Sequence, residues 1–335
     1  MEKLPLVSIV VPTYNNEDTI KSSLISLVGQ NYPKKEIMVV HDEGSIDNTK
    51  QVLMKMTKDF PQLIRIIFTG HVGRSQARNI GWKNSTGEIL FFADADDIYN
   101  QEYLDKAVEC LLSDPKFGGV TVTGASLKFE STFVTECIEV YSQIRRKLTD
   151  GGKITPDWAW VYRRDAVESV GGFDGRLNQA EDKDLYLRVK KAGYSFGIVT
   201  GVNWHHTRKG NIQSYTKKNY LAGKRRILFV LKHRRIGDFF KSVVLFWIFC
   251  GALLASTFFT QLFYWVIIGI AVVLGYNLFV TLKVGWNVVS NKKYLFYYPF
   301  LKALTYLASA IGHTHGFLLV CFEKITGRRI DWSRI

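Results

Sequence analysis

From Ser242 to Leu282 the chain runs for 41 residues without Asp, Glu, Lys or Arg. So apolar a segment is stable only in lipid or fully covered by protein. A spanning helix takes about 20 apolar residues. The run therefore reads as two helices turning near Thr257–Gln261, with a buried helical hairpin in a soluble core as the alternative. Lys241 and Lys283 flank the run and the turn is uncharged, so the positive-inside rule puts both ends in the cytoplasm.

The formal charge of +14 follows the same division. Residues 1–216 hold 27 Lys and Arg against 27 Asp and Glu, whereas residues 217–241 hold nine basic residues against Asp238 alone. A nucleic-acid binder carries its basic residues on the folded domain. Here they flank hydrophobic segments, which points to a membrane surface and away from nucleic acid. Residues 216–240 read as a basic amphipathic helix on an anionic leaflet. A third apolar stretch, 294–322, contains Pro299, Lys302, His313 and His315, with Gly312 and Gly316 in GxxxG spacing. If it crossed, the basic tail 323–335 would lie outside, against the charge rule. An interfacial or re-entrant helix is therefore favoured, with a span as the alternative.

The N-terminal sequence is not a signal peptide: its apolar run is short and broken by Pro5 and Pro12. Cys110, Cys137, Cys250 and Cys321 form no C-x-x-C pair, which suits a reducing compartment. Residues 1–215 are then expected to be a cytoplasmic domain on a multi-pass cell-membrane protein, with 241–283 as the membrane hairpin.

Within residues 1–215, short β-branched runs alternate with helical spacing. Leu6 to Val11, Glu36 to Val40, Ile64 to Phe68 and Ile89 to Phe92 read as buried strands, with further strands expected over 118–129 and from Ser195 to His206. Such alternation argues for a mostly parallel α/β sheet. The fourth run drives into Asp94-Ala95-Asp96-Asp97. Acids at the carboxyl end of a parallel strand face the crevice where such sheets bind ligands. Three crowded carboxylates repel unless a cation intervenes, and hard oxygen ligands suit Mg²⁺ or Mn²⁺. A solvated acidic turn is the plain alternative for this motif alone.

Further motifs follow in order: Pro12-Thr13-Tyr14-Asn15 with Glu17, Asp42-Glu43-Gly44-Ser45, Ala77-Arg78-Asn79, Gly171-Gly172-Phe173-Asp174, and Glu181-Asp182 with Leu185 and Arg188. Together with Gly87 to Asp97 they resemble family 2 of the inverting GT-A glycosyltransferases, over about residues 6–206. The resemblance implies a Rossmann-like GT-A catalytic domain followed by C-terminal transmembrane or interfacial helices. It implies a UDP- or GDP-sugar donor whose base lies near Pro12, Thr13, Tyr14, Glu17 and Asp42. Asp94 would approach the ribose or a metal-bound water, and Asp96 is the leading metal ligand. Asp182 is the candidate general base, taking the proton of an attacking hydroxyl. A neighbouring like charge, Glu181 or Asp184, raises proton affinity in such a pair. His205 or His206 would add a metal or phosphate contact. Arg78 either reaches the diphosphate or lies on a helix surface. Trp158 and Trp160, two residues apart on one expected strand, together with Glu181, are the acceptor-side candidates, with core packing as the alternative for the tryptophans.

Departures from the family narrow the activity. The Q-x-x-R-W motif of processive synthases is absent, so addition of a single sugar is expected. The acceptor is expected to be a lipid-linked glycan hydroxyl, with a polyprenyl or dolichyl phosphate second and a non-catalytic membrane scaffold third.

Overall fold

The structure is a computed structural model and describes residues 4–122, 125–126, 132–150, 159–202, 204–206, 211–256, 260–287, 289 and 292–332. Strands and helices alternate first: β1 (Val7–Thr13), α1 (Ile20–Val28), β2 (Lys35–Asp42), α2 (Thr49–Asp59), β3 (Ile64–Thr69), α3 (Arg74–Lys83) and β4 (Ile89–Phe92). Then come β5 (Asp97–Tyr99), α4 (Tyr103–Ser113), β6 (Phe117–Val122), β7 (Ala125–Ser126), α5 (Phe133–Asp150), β8 (Val161–Arg163), α6 (Arg164–Glu168), α7 (Glu181–Lys191), β9 (Ser195–Val199) and β10 (Trp204–His206). Four helices close the chain: α8 (Ile212–Lys232), α9 (Ile236–Ser256), α10 (Thr260–Gly285) and α11 (Lys293–Thr326).

The main sheet has the order β3-β2-β1-β4-β8-β6-β9. Strand β1 pairs in parallel with both β2 and β4, and β8 runs antiparallel between β4 and β6. Strand order reverses at β1, so the crevice for a ligand opens at the carboxyl ends of β1 and β4. Alternation along β1 supplies both cores. Val7, Ile9 and Val11 pack with Ile37, Val39 and Phe91 on one face, and Val10 packs with Met38, Leu90 and Phe92 on the other. Helix α3 lies tight on this second face. A Cβ at Gly81 would stand 2.3 Å from Val10 Cγ1 and 3.2 Å from Val40 Cγ2.

Two expected strands divide. The run from Ser195 to His206 breaks at Gly201, whose φ of 76° is left-handed. Its first part joins the main sheet as β9, and its second part, β10, joins a small sheet of order β5-β10-β7. The expected strand over 118–129 likewise ends at Val122, with β7 passing to the small sheet.

The chain forms two units, residues 1–128 with 148–208 and residues 129–147 with 209–333. Most of α5 thus falls outside the N-terminal domain expected over 1–215. The cause is apolar: Val134 and Cys137 bury with Leu301, and Val140 buries with Val289 and Leu295. In the second unit α8 and α11 meet at glycines. A Cβ at Gly312 would stand 2.1 Å from the Tyr220 carbonyl oxygen, and one at Gly316 would stand 2.3 Å from that of Lys224. This is small-residue packing of the GxxxG kind, within one chain.

Helix α8 ends at Lys232 and α9 begins at Ile236, with Arg234 left-handed at φ 52° between them. The expected single basic helix over 216–240 is therefore broken at its last basic pair. Helix α11 covers the third apolar stretch, 294–322. It is continuous for 34 residues, and Pro299 costs it a ladder hydrogen bond without ending it. Among the described residues it is the one helix long and apolar enough to cross a membrane by length and composition. The expected hairpin appears as α9 and α10, on either side of 257–259, which lie outside the described residues. Among the described residues it contributes the shorter apolar helical stretch Ile267–Lys283.

Replacing Gly81 by Ala should overpack α3 against β1 and cost about 1–3 kcal/mol. The expected readout is a lower thermal midpoint of the full-length protein without loss of secondary structure.

Candidate active site

Three loops converge where β1, β2 and β4 end. Thr13 closes β1, and its Oγ1 lies 3.0 Å from His41 Nδ1. Burial lowers the pKa of His41, and Lys50 lowers it further. Asp42 closes β2. Its carboxylate accepts from the Gly44 amide at 2.8 Å and meets His71 Nδ1 at 2.6 Å. Tyr14 stands edge-on to the His71 ring at 5.1 Å. These groups form a polar cluster with one aromatic ring against it. Glu17 turns elsewhere: its Oε2 accepts from the backbone amide and the side-chain Nδ2 of Asn48, at 2.8 and 2.9 Å. It clasps the turn before α2.

The acids after β4 sort by alternation. Asp94 and Asp96 are half-buried, while Ala95 and Asp97 are buried. Asp97 opens β5 and accepts from the Tyr99 hydroxyl at 3.3 Å, and that hydroxyl accepts from the Asp94 amide at 3.1 Å. The Asp94 carbonyl accepts from Ser23 Oγ at 3.1 Å. The acidic turn is thus fixed from both sides. Strand β10 pairs antiparallel with β5, which sets His206 opposite Asp97 and His205 opposite Ile98. The side chains of both histidines lie outside the described residues, as does Trp158.

Arg78 is neither a surface residue nor an open diphosphate ligand. It is fully buried on α3. Its guanidinium donates to Asp94 Oδ1 at 2.7 Å and to Glu181 Oε1 at 2.8 Å. The rings of Trp160 and Phe173 lie 5.2 and 5.5 Å from it. Burial acts to lower its pKa, but Asp94 and Glu181 outweigh that effect and raise it. Its Nε has no hydrogen-bond partner among the described residues. Trp160, expected on the acceptor side, packs against both cores and over this guanidinium. It precedes β8 yet still pairs in the sheet, since its carbonyl accepts from the Phe92 amide at 2.9 Å.

Helix α7 delivers the second carboxylate pair. Ala180 enters it left-handed at φ 60°, an uncommon conformation for a residue with a Cβ. The next residue, Glu181, is buried and accepts from Arg78. Arg74, one turn before Arg78, also reaches Glu181 at 3.5 Å, and Glu181 raises its pKa. Asp182 is half-buried, and its pKa is raised to about 6, first by burial and then by the negative charge of Glu181. Asp184 is spent on structure: its Oδ2 accepts from Arg188 Nε at 2.8 Å.

The structure therefore brings together Asp94, Arg78, Glu181 and, through the field of Glu181, Asp182. It groups Thr13, Tyr14 and Asp42 at the neighbouring strand ends. His41, His71 and Arg74 were missed in the sequence. Arg74 had a signal, the i,i+4 spacing that sets it one turn from Arg78 on a helix face. His71 had a weaker one, as a polar residue just beyond the end of β3.

Carboxylates at parallel strand ends, and an acidic helix start tied to them by a buried arginine, mark the candidate site of a mostly parallel, GT-A-like α/β domain. Residues 8–171 match the sequence profile described as "Glycosyl transferase family 2". The glycosyltransferase AglE of Haloferax volcanii is 29% identical over 230 residues, covering 67% of this chain and 74% of that protein. The Bacillus subtilis protein named "Probable glycosyltransferase YdaM" is 27% identical over 297 residues, covering 79% of this chain and 68% of its own length. Among solved structures, the mannosyltransferase PcManGT from Pyrobaculum calidifontis, in complex with GDP-Man and Mn²⁺, superposes with a TM-score of 0.64. It is 19% identical and covers 93% of this chain and 88% of its own, a likeness of fold.

Two outcomes test the site. Arg78→Ala strands two carboxylates and should cost about 3–5 kcal/mol of stability, read as a lower thermal midpoint. Asp182 binds its proton more tightly folded (about 6) than at its ordinary 3.8. Its contribution to stability is therefore full below the ordinary value and is lost as pH rises through the folded one. Wild type should lose thermal stability over that interval relative to Asp182→Asn.

Proposed function

We propose that the protein is an inverting, metal-dependent glycosyltransferase that moves one sugar from a nucleoside diphosphate-sugar to a lipid-linked acceptor. The setting is the cytoplasmic face of the cell membrane, on a chain anchored by its C-terminal helices. The observation that carries the reading is Asp182: a carboxyl at a helix start whose proton affinity is raised to about 6, one residue from a glutamate that Arg78 ties to the donor-side Asp94.

The roles follow from charge and position. Thr13, Tyr14 and Asp42 take the base, with the Asp42 carboxylate accepting from an imide N–H. Pro12 and Glu17 shape the loop. His71 holds the Asp42 carboxylate in one orientation. Arg78 acts through Asp94 and Glu181 and does not reach the donor directly. Asp182 accepts the proton of the acceptor hydroxyl as that oxygen attacks the anomeric carbon opposite the leaving diphosphate, which gives inversion.

Asp94 and Asp96 fit a divalent cation. They are hard oxygen donors at one strand end, and Mg²⁺ commonly takes one or two carboxylates together with substrate phosphates. Among the described residues no group of three or more His, Cys, Asp or Glu forms a ready-made cage, which suits a cation shared with a diphosphate. Asp96 with Asp94 would hold Mn²⁺ or Mg²⁺, and either histidine of β10 is a further candidate. Such a cation, when bound, neutralises charge on the departing diphosphate.

Addition of one sugar is supported by the missing Q-x-x-R-W motif. Membrane anchoring is supported by α11 and by the basic excess after residue 216. The donor nucleotide is UDP or GDP. A thermal-shift panel of both nucleotides and their sugars with Mn²⁺ should single out one, because stabilisation follows ligand concentration over affinity. With native lipid extract as acceptor, kcat/KM should rise with pH through about 6 as Asp182 ionises. Asp182→Asn should keep the nucleotide shift and lose turnover by about 10²–10⁴-fold. Wild-type turnover in that variant overturns the assignment of the base.

A further inference from the structure

The long apolar helix α11 carries one charge well inside its length. Lys302 is half-buried, and its ammonium donates to Asn277 Oδ1 on α10 at 3.1 Å. That amide is itself fixed. Asn277 Nδ2 donates to the Val273 backbone carbonyl at 2.8 Å. An ammonium has three donors and a full charge. Among the described residues Lys302 meets this neutral amide and the Tyr306 ring at 5.9 Å, and pairs with no carboxylate. A lysine among apolar helices is costly unless it meets an anion or reaches the interface.

The sequence sets its level. The 20 residues 303–322 contain no Asp, Glu, Lys or Arg, which is the length of one span. Lys302 stands at the boundary where that stretch begins. Exposed aromatic side chains surround the same level: Tyr276 and Phe279 on α10, Phe300 and Tyr306 on α11. Aromatic belts of this kind sit at the headgroup layer of a bilayer. There an ammonium with donors to spare faces lipid phosphate, while the neighbouring surface offers apolar area to acyl or prenyl chains.

We propose that Lys302, oriented by Asn277, binds the phosphate headgroup of an anionic lipid. This rests on the membrane-anchored reading above and deepens it. The chemistry recognised is a phosphate monoester or diester borne on a long chain, the class to which the carrier of a lipid-linked acceptor belongs. The exposed apolar and aromatic surroundings favour the lipid over free phosphate. The site differs from the lysines and arginines of α8, whose attraction to a charged leaflet is screened by salt. Lys302 is partly covered and holds a directed hydrogen bond, so its lipid should remain bound in salt.

The test uses the full-length protein in phosphatidylcholine nanodiscs doped with phosphatidic acid, with lipids counted per chain by native mass spectrometry at low salt and at about 1 M. Wild type should keep one phosphatidic acid in high salt. Lys302→Gln should bind it about tenfold more weakly or worse, the scale of one charge-assisted hydrogen bond. Lys302→Arg should retain it, and Asn277→Leu should weaken it less than Lys302→Gln. Lys217→Gln with Lys218→Gln should remove only salt-sensitive lipid. An unchanged nucleotide thermal shift reports that the variants fold. Wild-type binding by Lys302→Gln overturns the site while leaving the membrane reading intact. Displacement by millimolar inorganic phosphate overturns it in favour of a free-phosphate site. Failure of wild type to enter the nanodiscs overturns both readings.

Discussion

The catalytic domain is organised around one buried cation. Arg78 has no exposed surface, and its two ion pairs join Asp94, just after the fourth strand, to Glu181, at the start of α7. A buried guanidinium with a single partner would be costly, because desolvation is repaid only when charge and hydrogen bonds are both matched. Two carboxylates and two aromatic faces supply that match here. The sharing also has a chemical result. Glu181 pairs with Arg78 and Arg74, and its negative charge adds to burial in raising the proton affinity of Asp182.

That arrangement depends on backbone features around it. Left-handed Ala180 starts α7 so that Glu181 follows at once. The loop before it is pinned to α3: Asn79 donates to the Phe173 carbonyl at 2.8 Å and accepts from the Phe173 amide at 2.9 Å, and Ser75 Oγ donates to the Leu177 carbonyl. Residues after Arg74 on one helix therefore fix Asp94, the loop and the acidic helix start together. The same helix lies close on β1 because Gly81 leaves no side chain between them.

Comparison of sequence and structure divides along physical lines. Buried parallel strands are near-continuous apolar runs, so β1 to β4 were visible, and the acids after Phe92 were visible because their charge contrasts with that run. Asp182 was visible through its motif. The environment of Arg78 was not, since a lone arginine on a helix reads as exposed until a fold closes over it. Glu17 and Trp160 show the converse. Their residue types suit ligand contact, yet hydrogen bonding to Asn48 and packing over Arg78 use them locally. The continuity of α11 was hidden by Pro299 and Lys302, residues that normally interrupt an apolar helix.

By itself the sequence determined the α/β class of the first 200 or so residues, the order of the glycosyltransferase motifs and the concentration of positive charge after residue 216. These depend on periodicity and on residues near one another in the chain. Only the tertiary structure decided that Arg78 joins the two acidic motifs, that His71 holds Asp42, that most of α5 packs with the C-terminal helices, and that Lys302 finds Asn277. Each joins residues far apart in sequence, and the balance of desolvation against pairing that fixes them exists only once the chain has folded around them.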